Sequence, residues 1–457
     1  MPAADQLFGS DKKVFAHYFY PFPLSIDNAA SAQDYYNRNY LSPAGENNKW
    51  ITEGGYLRAR PLPVMPSAPT TYQIDNMKTE IKMAIAAGIT GFTVDVLGAT
   101  QVNAGSQLQN LLSAAGAVDS RFKIVVMPDI SALGTPSAAV VESIITSVAT
   151  SPAAYRLPDG RLVVSAFNAS LETPTFWSGV LTDLSTAGID VAFVPTFLGW
   201  SGNATAYAPF SYGFADWGTA TPASSTSMQS APGQAHALGR IFMMPVDPQQ
   251  YRPKDFAYWE AGNSAAFRDA WTSSIAGDAD WIQLVTWGDF SESSQIQPYT
   301  DTTLASDIGT GYYDMNAYYA SWYLTGVAPA VTDDVLFYFY RREAVASADP
   351  AQTTPTHAVG PAGTDNIEVV GFLDAPGTLE ITIGGQTYLH DAPAGVTSFT
   401  VPLQTGTPQF GLSRNGTEVF SAAGTISIVD ALPSGTLDLT YWSGSVSADG
   451  TCEITAL

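Results

Sequence analysis

Short apolar runs recur along the first 290 residues, and most of them are almost continuously hydrophobic. FKIVVMPDI at 122–130 and LVVSAF at 162–167 are examples. Strands of a parallel sheet that is covered on both faces have this character, whereas half-exposed strands alternate between apolar and polar residues. The pattern predicts eight strands, at residues 13–20, 90–97, 122–130, 162–167, 190–198, 212–218, 240–248 and 281–290.

Helical patterns lie between several of these strands. In YQIDNMKTEIKMAIAAG, residues Ile74, Met77, Ile81 and Ile85 fall on one helical face, and Gly88 is a suitable C-terminal stop. SAAVVESIITSVAT and NSAAFRDAWTSSIAG show the same period. Strands alternating with helices predict an α/β fold, a (β/α)8 barrel of the TIM type. A doubly wound open sheet is the alternative, but PFPLSIDN follows the first strand where such a sheet carries a glycine-rich phosphate loop.

The pattern changes to period two after about residue 355. Alternating segments such as IEVVGFL and GTLEITIGGQTYL are separated by turns, and GG at 384–385 and NG at 415–416 are hairpin signals. This texture is typical of a small antiparallel β-sandwich. We therefore predict a barrel over 1–344, a linker over 345–355 and a β-sandwich over 356–457. A structural cap on the barrel is the expected role of the sandwich, with carbohydrate binding as the alternative.

Composition narrows the set of partners. The 457 residues carry a formal net charge of -23 with only 13% charged residues, and such a surface repels nucleic acid. No apolar run approaches the ~20 residues that span a membrane. Cys452 is the single cysteine, so no intrachain disulfide can form. The start, MPAADQLFGS, lacks the features of a signal peptide. We expect a secreted monomer whose signal peptide is absent from this chain, with no nucleic-acid or membrane partner.

Candidate chemistry gathers where the predicted strands end, which is the catalytic face of a (β/α)8 barrel. Asp289 and Glu292 stand three residues apart after the eighth strand. Each acid alone has an ordinary explanation as a helix cap or a solvated turn. Together with nearby aromatic residues and few cations, they suit glycosidic cleavage, which needs one protonated acid and one carboxylate. The candidate substrate-binding residues are His17, Tyr18, Asp95, Asp129, Asn168, Trp200, Trp217, Asp247 and Trp287.

Other chemistries lack their residues in this sequence. There is no HExxH motif or His/Cys cluster, and the chain has four histidines in all. No GxSxG elbow and no Walker loop are present. We therefore predict no metal and no cofactor.

The segment VTWGDFSESSQI resembles the end of the catalytic barrel in glycoside hydrolase family 71, the endo-α-1,3-glucanases called mutanases, where a pattern like TWNDYGESHYI is expected. KVFAHYF and IKMAIAAGITGFTVDVLG also look like segments of that family. The chain departs from the family pattern at Gly288, Phe290 and Ser291, and Ser293–Ser294 replace His–Tyr. A more distant likeness is to the α-mannan-cleaving glycoside hydrolase family 99.

The resemblance implies an endo-acting hydrolase of α-glucan, with α-1,3-glucan as the polysaccharide substrate. It implies inversion, with Glu292 as the general acid and Asp289 as the general base. Two alternatives stay open at this point. One is a hydrolase of α-mannan or of another α-glucan, and the other is a catalytically silent carbohydrate-binding protein.

Overall fold

A closed parallel barrel forms the N-terminal part of the chain. The computed structural model describes residues 4–103, 105–301, 309–346, 348–433 and 435–448, and Cys452 lies outside these ranges. All eight predicted strands are present, each pairing with its sequence neighbours, and the last pairs with the first. They are β1 Lys13–Tyr18, β2 Gly91–Val96, β3 Lys123–Pro128, β4 Leu162–Ala166, β5 Val191–Phe197, β6 Gly213–Asp216, β7 Ile241–Val246 and β8 Trp281–Leu284. The predicted fold class is confirmed.

Helices surround the barrel, and the three predicted from periodicity are present. The first, Tyr72–Ala86, ends before Gly88, which adopts a φ of 83° that favours glycine. No helix within the described ranges is long and apolar enough to span a membrane. The α-helices are Ala4–Gly9, Gly45–Asn48, Tyr72–Ala86, Gln107–Val118, Ile130–Leu133, Ala138–Thr146, Pro174–Thr186, Ala204–Tyr207, Pro222–Ser227, Ala231–Ala237, Ala265–Ala276 and Gly311–Thr325. Shorter 3-10 and π turns are Ser31–Gln33, Tyr36–Tyr40, Ala99–Val102, Ala169–Leu171, Trp200–Gly202, Met228–Ser230 and Pro253–Asp255.

Side chains of the barrel strands alternate between two separate cores. One set fills the barrel interior, for example Phe15, Val125, Val194 and Trp281. The other set packs against the helices, for example Val14, which neighbours Phe15. Because the side-chain period of a strand is two, this alternation decides which residues at the strand ends can face the barrel mouth.

Long loops follow the carboxyl ends of several barrel strands. The loop after β7 forms a hairpin from Gln250–Arg252 and Ala257–Trp259, which pair antiparallel. The strand Thr356–Val359 adds to the edge of this hairpin in parallel. Elsewhere Arg60–Pro61 pairs with Tyr299–Thr300.

The C-terminal part contains two four-stranded antiparallel sheets around a shared apolar core. Both hairpins signalled by GG and NG are present. The first sheet contains β9 Val335–Tyr340, β10 Asn366–Leu373, β13 Gly395–Pro402 and β16 Trp442–Ser447, and the second contains β11 Gly377–Ile383, β12 Gln386–Ala392, β14 Gln409–Arg414 and β15 Thr417–Ala423.

The strand β9 corrects part of the predicted domain division. Residues 335–340 fall within the predicted barrel range of 1–344, yet β9 lies between β10 and β16 in the sandwich. Its sequence VLFYFY does not alternate because both of its faces are buried. Leu336 and Tyr338 point into the sandwich core, whereas Phe337 and Phe339 belong to the core around the barrel. The other domain limits remain a prediction.

Candidate active site

A cleft of about 360 Å³ opens at the carboxyl ends of the barrel strands. Most of its lining comes from the inward-facing positions at the strand ends. His17, for example, lies two residues after the interior Phe15, and Asp129 lies four residues after the interior Val125. The lining residues are His17, Phe19, Asp95, Leu97, Asp129, Phe167, Leu198, Trp217, Arg252, Asp289 and Glu292.

One side of the cleft holds a histidine and two carboxylates. His17 Nε2 lies 3.7 Å from Asp95 Oδ2. Asp129 caps the short helix Ile130–Leu133 by accepting a hydrogen bond from the backbone nitrogen of Ala132 at 2.9 Å. Burial, reinforced by the charge of Asp95, raises the pKa of Asp129 to about 6. His17 Nδ1 and Asp95 Oδ1 are buried without a hydrogen-bond partner among the described residues, so this side of the site holds unpaired polar atoms.

Trp217 forms an aromatic wall of the cleft. Its ring makes edge contacts with His17 and Phe167, each at 4.7 Å between ring centroids. The residue is only half-buried, so part of the indole remains open to the cleft. Such a surface can pack against the apolar face of a sugar ring.

Asp289 lies buried in a tight turn after β8. Its Oδ1 accepts hydrogen bonds from the Ser291 nitrogen at 2.9 Å, the Ser291 hydroxyl at 2.7 Å and the Glu292 nitrogen at 3.1 Å. Within the described part of the chain, no hydrogen bond reaches Oδ2, which leaves that oxygen for a water molecule. Burial raises the pKa of Asp289, while the Ser291 and Glu292 hydrogen bonds and nearby His17 act in the opposite direction.

Glu292 follows in the same turn and is held on one oxygen. Its Oε2 accepts hydrogen bonds from Gln250 Nε2 at 2.8 Å and from an Arg252 Nη at 2.9 Å. No hydrogen bond within the described ranges reaches Oε1, so this oxygen can carry a transferable proton. Burial and then the charge of Asp289 raise the pKa of Glu292 from 4.5 to about 7, against the opposing charge of Arg252. The pair therefore combines a carboxyl that keeps its proton near neutral pH with a hydrogen-bonded neighbour.

Three predicted sugar-contacting aromatics are not in the cleft, and these predictions are wrong. Tyr18 follows His17 on β1 and therefore points to the opposite face of the strand, toward the helices. Its buried hydroxyl donates a hydrogen bond to Glu80 of the helix Tyr72–Ala86 at 2.6 Å. Trp287 is 1% exposed and packs against residues of the outer core. Trp200 is 5% exposed and likewise lies in the core between the barrel and its helices.

Two predicted polar ligands also lie outside the cleft lining. Asn168 donates its amide to the Ser131 hydroxyl at 3.1 Å. Asp247 is buried at the end of β7, and burial, with Asp216 and Glu292 nearby, raises its pKa well above the usual range. The sequence placed both at strand ends correctly but did not show how far each loop turns away or closes over the side chain.

Several residues that line the cleft or contact Glu292 were missed by the sequence interpretation. Phe19 and Leu198 continue the inward parity of β1 and β5, so the alternation alone could have identified them. Gln250 and Arg252 come from the hairpin after β7, and their contact with Glu292 depends on how that hairpin folds back. No local signal in the sequence predicts that contact.

Comparisons with known proteins agree with this architecture. The model of glycosyl hydrolase family 71 matches residues 64–455. The glucan endo-1,3-alpha-glucosidase agn1 of Schizosaccharomyces pombe is 27% identical over 383 residues, which cover 79% of this chain and 88% of that protein. A mutanase of Penicillium rubens is 25% identical over 208 residues, covering 42% of this chain and 46% of the relative.

Among solved structures, the GH99 endo-alpha-mannosidase from Bacteroides thetaiotaomicron matches with a TM-score of 0.53 and 16% identity. The match covers 69% of this chain and 98% of that one. At this identity the likeness concerns the barrel fold. The family match extends over most of the chain and includes the turn that carries both acids, so this chain belongs to glycosyl hydrolase family 71 and is a glycoside hydrolase.

Proposed function

We propose that the chain is an endo-acting α-1,3-glucanase that hydrolyses its substrate with inversion, with Glu292 as the general acid and Asp289 as the general base. The observation that carries the proposal is the state of Glu292, whose side chain is 17% exposed in an open cleft next to Asp289 and whose pKa desolvation raises to about 7. The relatives support the substrate, since their names describe an endo-1,3-alpha-glucosidase and a mutanase.

The reaction follows from the two free carboxyl oxygens. Glu292 donates its proton to the glycosidic oxygen as the bond from that oxygen to the anomeric carbon breaks. Asp289 Oδ2 takes a proton from a water molecule, whose oxygen forms the new bond to the anomeric carbon. Because the water attacks opposite the leaving group, an α-linkage gives a β-configured reducing end. The inverting course rests on the family resemblance and is tested by the product.

The cleft walls supply substrate recognition in this proposal. Trp217 packs on a sugar face. Asp95 accepts hydrogen bonds from substrate hydroxyl groups, and His17 donates or accepts them according to its tautomer. Asp129 lies on the same side and adds a further oxygen. None of these roles requires a metal or a cofactor. We also propose that the protein acts outside the cell, since one relative is named as an ascus wall endo-1,3-alpha-glucanase.

A panel of polymers tests the proposal. The protein is incubated with α-1,3-glucan, α-1,4-glucan, α-1,6-glucan and α-1,6-mannan, and fresh products are followed by proton NMR and by chain length. We expect oligosaccharides from α-1,3-glucan alone, with β-anomers appearing first. Turnover of α-mannan alone would give the chain a different substrate, and initial α-anomers would replace inversion with retention. Binding without turnover of any polymer would make it a carbohydrate-binding protein.

A further inference from the structure

The hairpin after β7 connects Glu292 to the β-sandwich. On one side, Gln250 and Arg252 donate hydrogen bonds to Glu292 Oε2, and the Tyr251 nitrogen donates to the Glu292 carbonyl oxygen at 2.8 Å. Three consecutive residues therefore hold both the side chain and the backbone of one acid. This arrangement fixes the orientation of the carboxyl relative to the cleft.

The same short segment is attached to the C-terminal part of the chain by buried side chains. Gln249 Nε2 donates to the Tyr441 carbonyl at 3.0 Å, and Gln249 Oε1 accepts from the Tyr441 nitrogen at 2.7 Å. The Tyr251 hydroxyl donates to the Leu437 carbonyl. Gln249 and Tyr251 are 2% and 1% exposed, so water cannot replace these partners in the folded protein.

Further contacts hold the outer half of the hairpin. Thr356–Val359 pairs with Ala257–Trp259, so a strand that follows β9 extends the hairpin sheet. Glu260, at the end of the hairpin, accepts hydrogen bonds from Arg341 at 3.1 Å and from the Tyr441 hydroxyl at 2.6 Å. The hairpin therefore has C-terminal partners along both of its strands.

We propose that the β-sandwich is part of the catalytic apparatus, with Gln249 and Tyr251 as positioning residues that hold Gln250 and Arg252 against Glu292. The inference rests on the proposed role of Glu292 as the general acid. It assigns the sandwich a function beyond capping the barrel, and it needs no sugar bound to the sandwich itself.

The charge environment of Glu292 gives the proposal a specific readout. The charged groups that face Glu292 are Asp289 from its own turn, Asp247 from β7, and Arg252 and Lys254 from the hairpin. Arg252 lowers the pKa of Glu292, and its position depends on the hairpin. Loosening the hairpin therefore raises this pKa, and the alkaline limb of the kcat/KM profile moves to higher pH, because the acid must be protonated.

The test compares Tyr251→Phe with the matched control Tyr340→Phe. Each removes one buried hydroxyl that donates to a backbone carbonyl of the C-terminal part, Leu437 for Tyr251 and Ile426 for Tyr340; the Tyr340 hydroxyl also accepts a hydrogen bond from the Ile426 nitrogen at 3.3 Å. We expect both variants to lose similar thermal stability. Only Tyr251→Phe moves the alkaline limb upward, by about 1 pH unit, the lower end of the range by which an opposite charge shifts a carboxyl pKa. Gln249→Leu, measured in the same way, is the second variant should Tyr251→Phe not fold.

A double-mutant cycle separates positioning from general loosening. Arg252→Gln alone is expected to move the alkaline limb of the kcat/KM profile to higher pH. If Tyr251 acts through Arg252, the double variant Arg252→Gln/Tyr251→Phe moves this limb little further. The proposal is overturned if neither Tyr251→Phe nor Gln249→Leu moves the alkaline limb of the pH profile. It is also overturned if Tyr251→Phe moves this limb as far in the Arg252→Gln background as it does alone. Hydrolysis retained by Glu292→Gln would instead remove the proposed acid, which is a distinct outcome.

Discussion

The carboxylates at the barrel mouth and those buried around the C-terminal part are both largely hidden from water but have different partners; at the mouth Asp95 is 3% exposed and Glu292 17%. Glu260 and Glu343 are 0% exposed, and both oxygens of each accept hydrogen bonds from backbone nitrogens or side chains. At the mouth, Asp95 Oδ1 is buried without a partner among the described residues, and Glu292 is held on Oε2. Full satisfaction of a buried carboxylate indicates a structural role, whereas an oxygen without a partner indicates a group prepared for a ligand or proton.

The largest difference between the two regions concerns activity. Glu292→Gln removes the transferable proton, and Asp289→Asn removes the base that accepts a proton from water. We expect kcat to fall by ~10²–10⁴-fold in each, the range that general acid or base catalysis contributes. Steady-state hydrolysis of α-1,3-glucan measures the loss, with circular dichroism as the control for folding. Activity near that of the unaltered protein in either variant would contradict the assignment.

The next difference concerns stability. Arg341→Met leaves Glu260 buried without its charged partner, although Tyr441, Gly262 and Thr364 still donate to it. Removing one member of a buried ion pair costs about 3–5 kcal/mol of unfolding free energy. Denaturant unfolding measures the change. An unfolding free energy equal to that of the unaltered protein would show that the interface carboxylates are less important than their contacts indicate.

The barrel mouth also makes the stability of the protein depend on pH. The folded pKa of Glu292, about 7, lies above its ordinary 4.5, so its contribution to stability is full below about pH 4.5 and is lost as the pH rises to about 7. Glu292→Gln cannot ionise, so the variant is expected to be more stable than the unaltered protein at pH 8, by up to ~3 kcal/mol. Melting curves at pH 4.5 and pH 8 test this, and an equal difference at both values would contradict the raised pKa.

The smallest expected effect is the difference between substituting an aromatic residue of the cleft and substituting one of the core. Trp217→Leu is expected to raise KM for α-1,3-glucan about tenfold, which corresponds to ~1.4 kcal/mol of lost contact, with little change in melting temperature. Trp200→Leu is the matched control, because Trp200 lies in the core between the barrel and its helices and not in the cleft. It should lower the melting temperature and leave KM nearly unchanged. A raised KM in Trp200→Leu with an unchanged KM in Trp217→Leu would show that Trp217 does not bind the sugar.

The sequence predicted the barrel well because most of its strands are almost continuous apolar runs, a signal that needs no distant contacts. The predicted domain limit was wrong at β9, because different cores bury the two faces of this sandwich strand and its sequence lacks the period-two pattern that marks the sandwich. Strand ends were located correctly, but side-chain parity decides between His17 and Tyr18, and the prediction did not apply it. Gln250 and Arg252 could not be found, since their contact with Glu292 depends on a hairpin held by residues nearly 200 positions away.

The most direct test of the central claim, that Glu292 is the proton donor, uses a substrate that needs no proton. An α-1,3-linked glucooligosaccharide with an α-fluoride at its reducing end releases fluoride without protonation of the leaving group. We predict that Glu292→Gln hydrolyses this fluoride at a rate within about tenfold of the unaltered protein, while losing ~10²–10⁴-fold on α-1,3-glucan. Equal losses on both substrates would contradict the assignment of Glu292 as the acid.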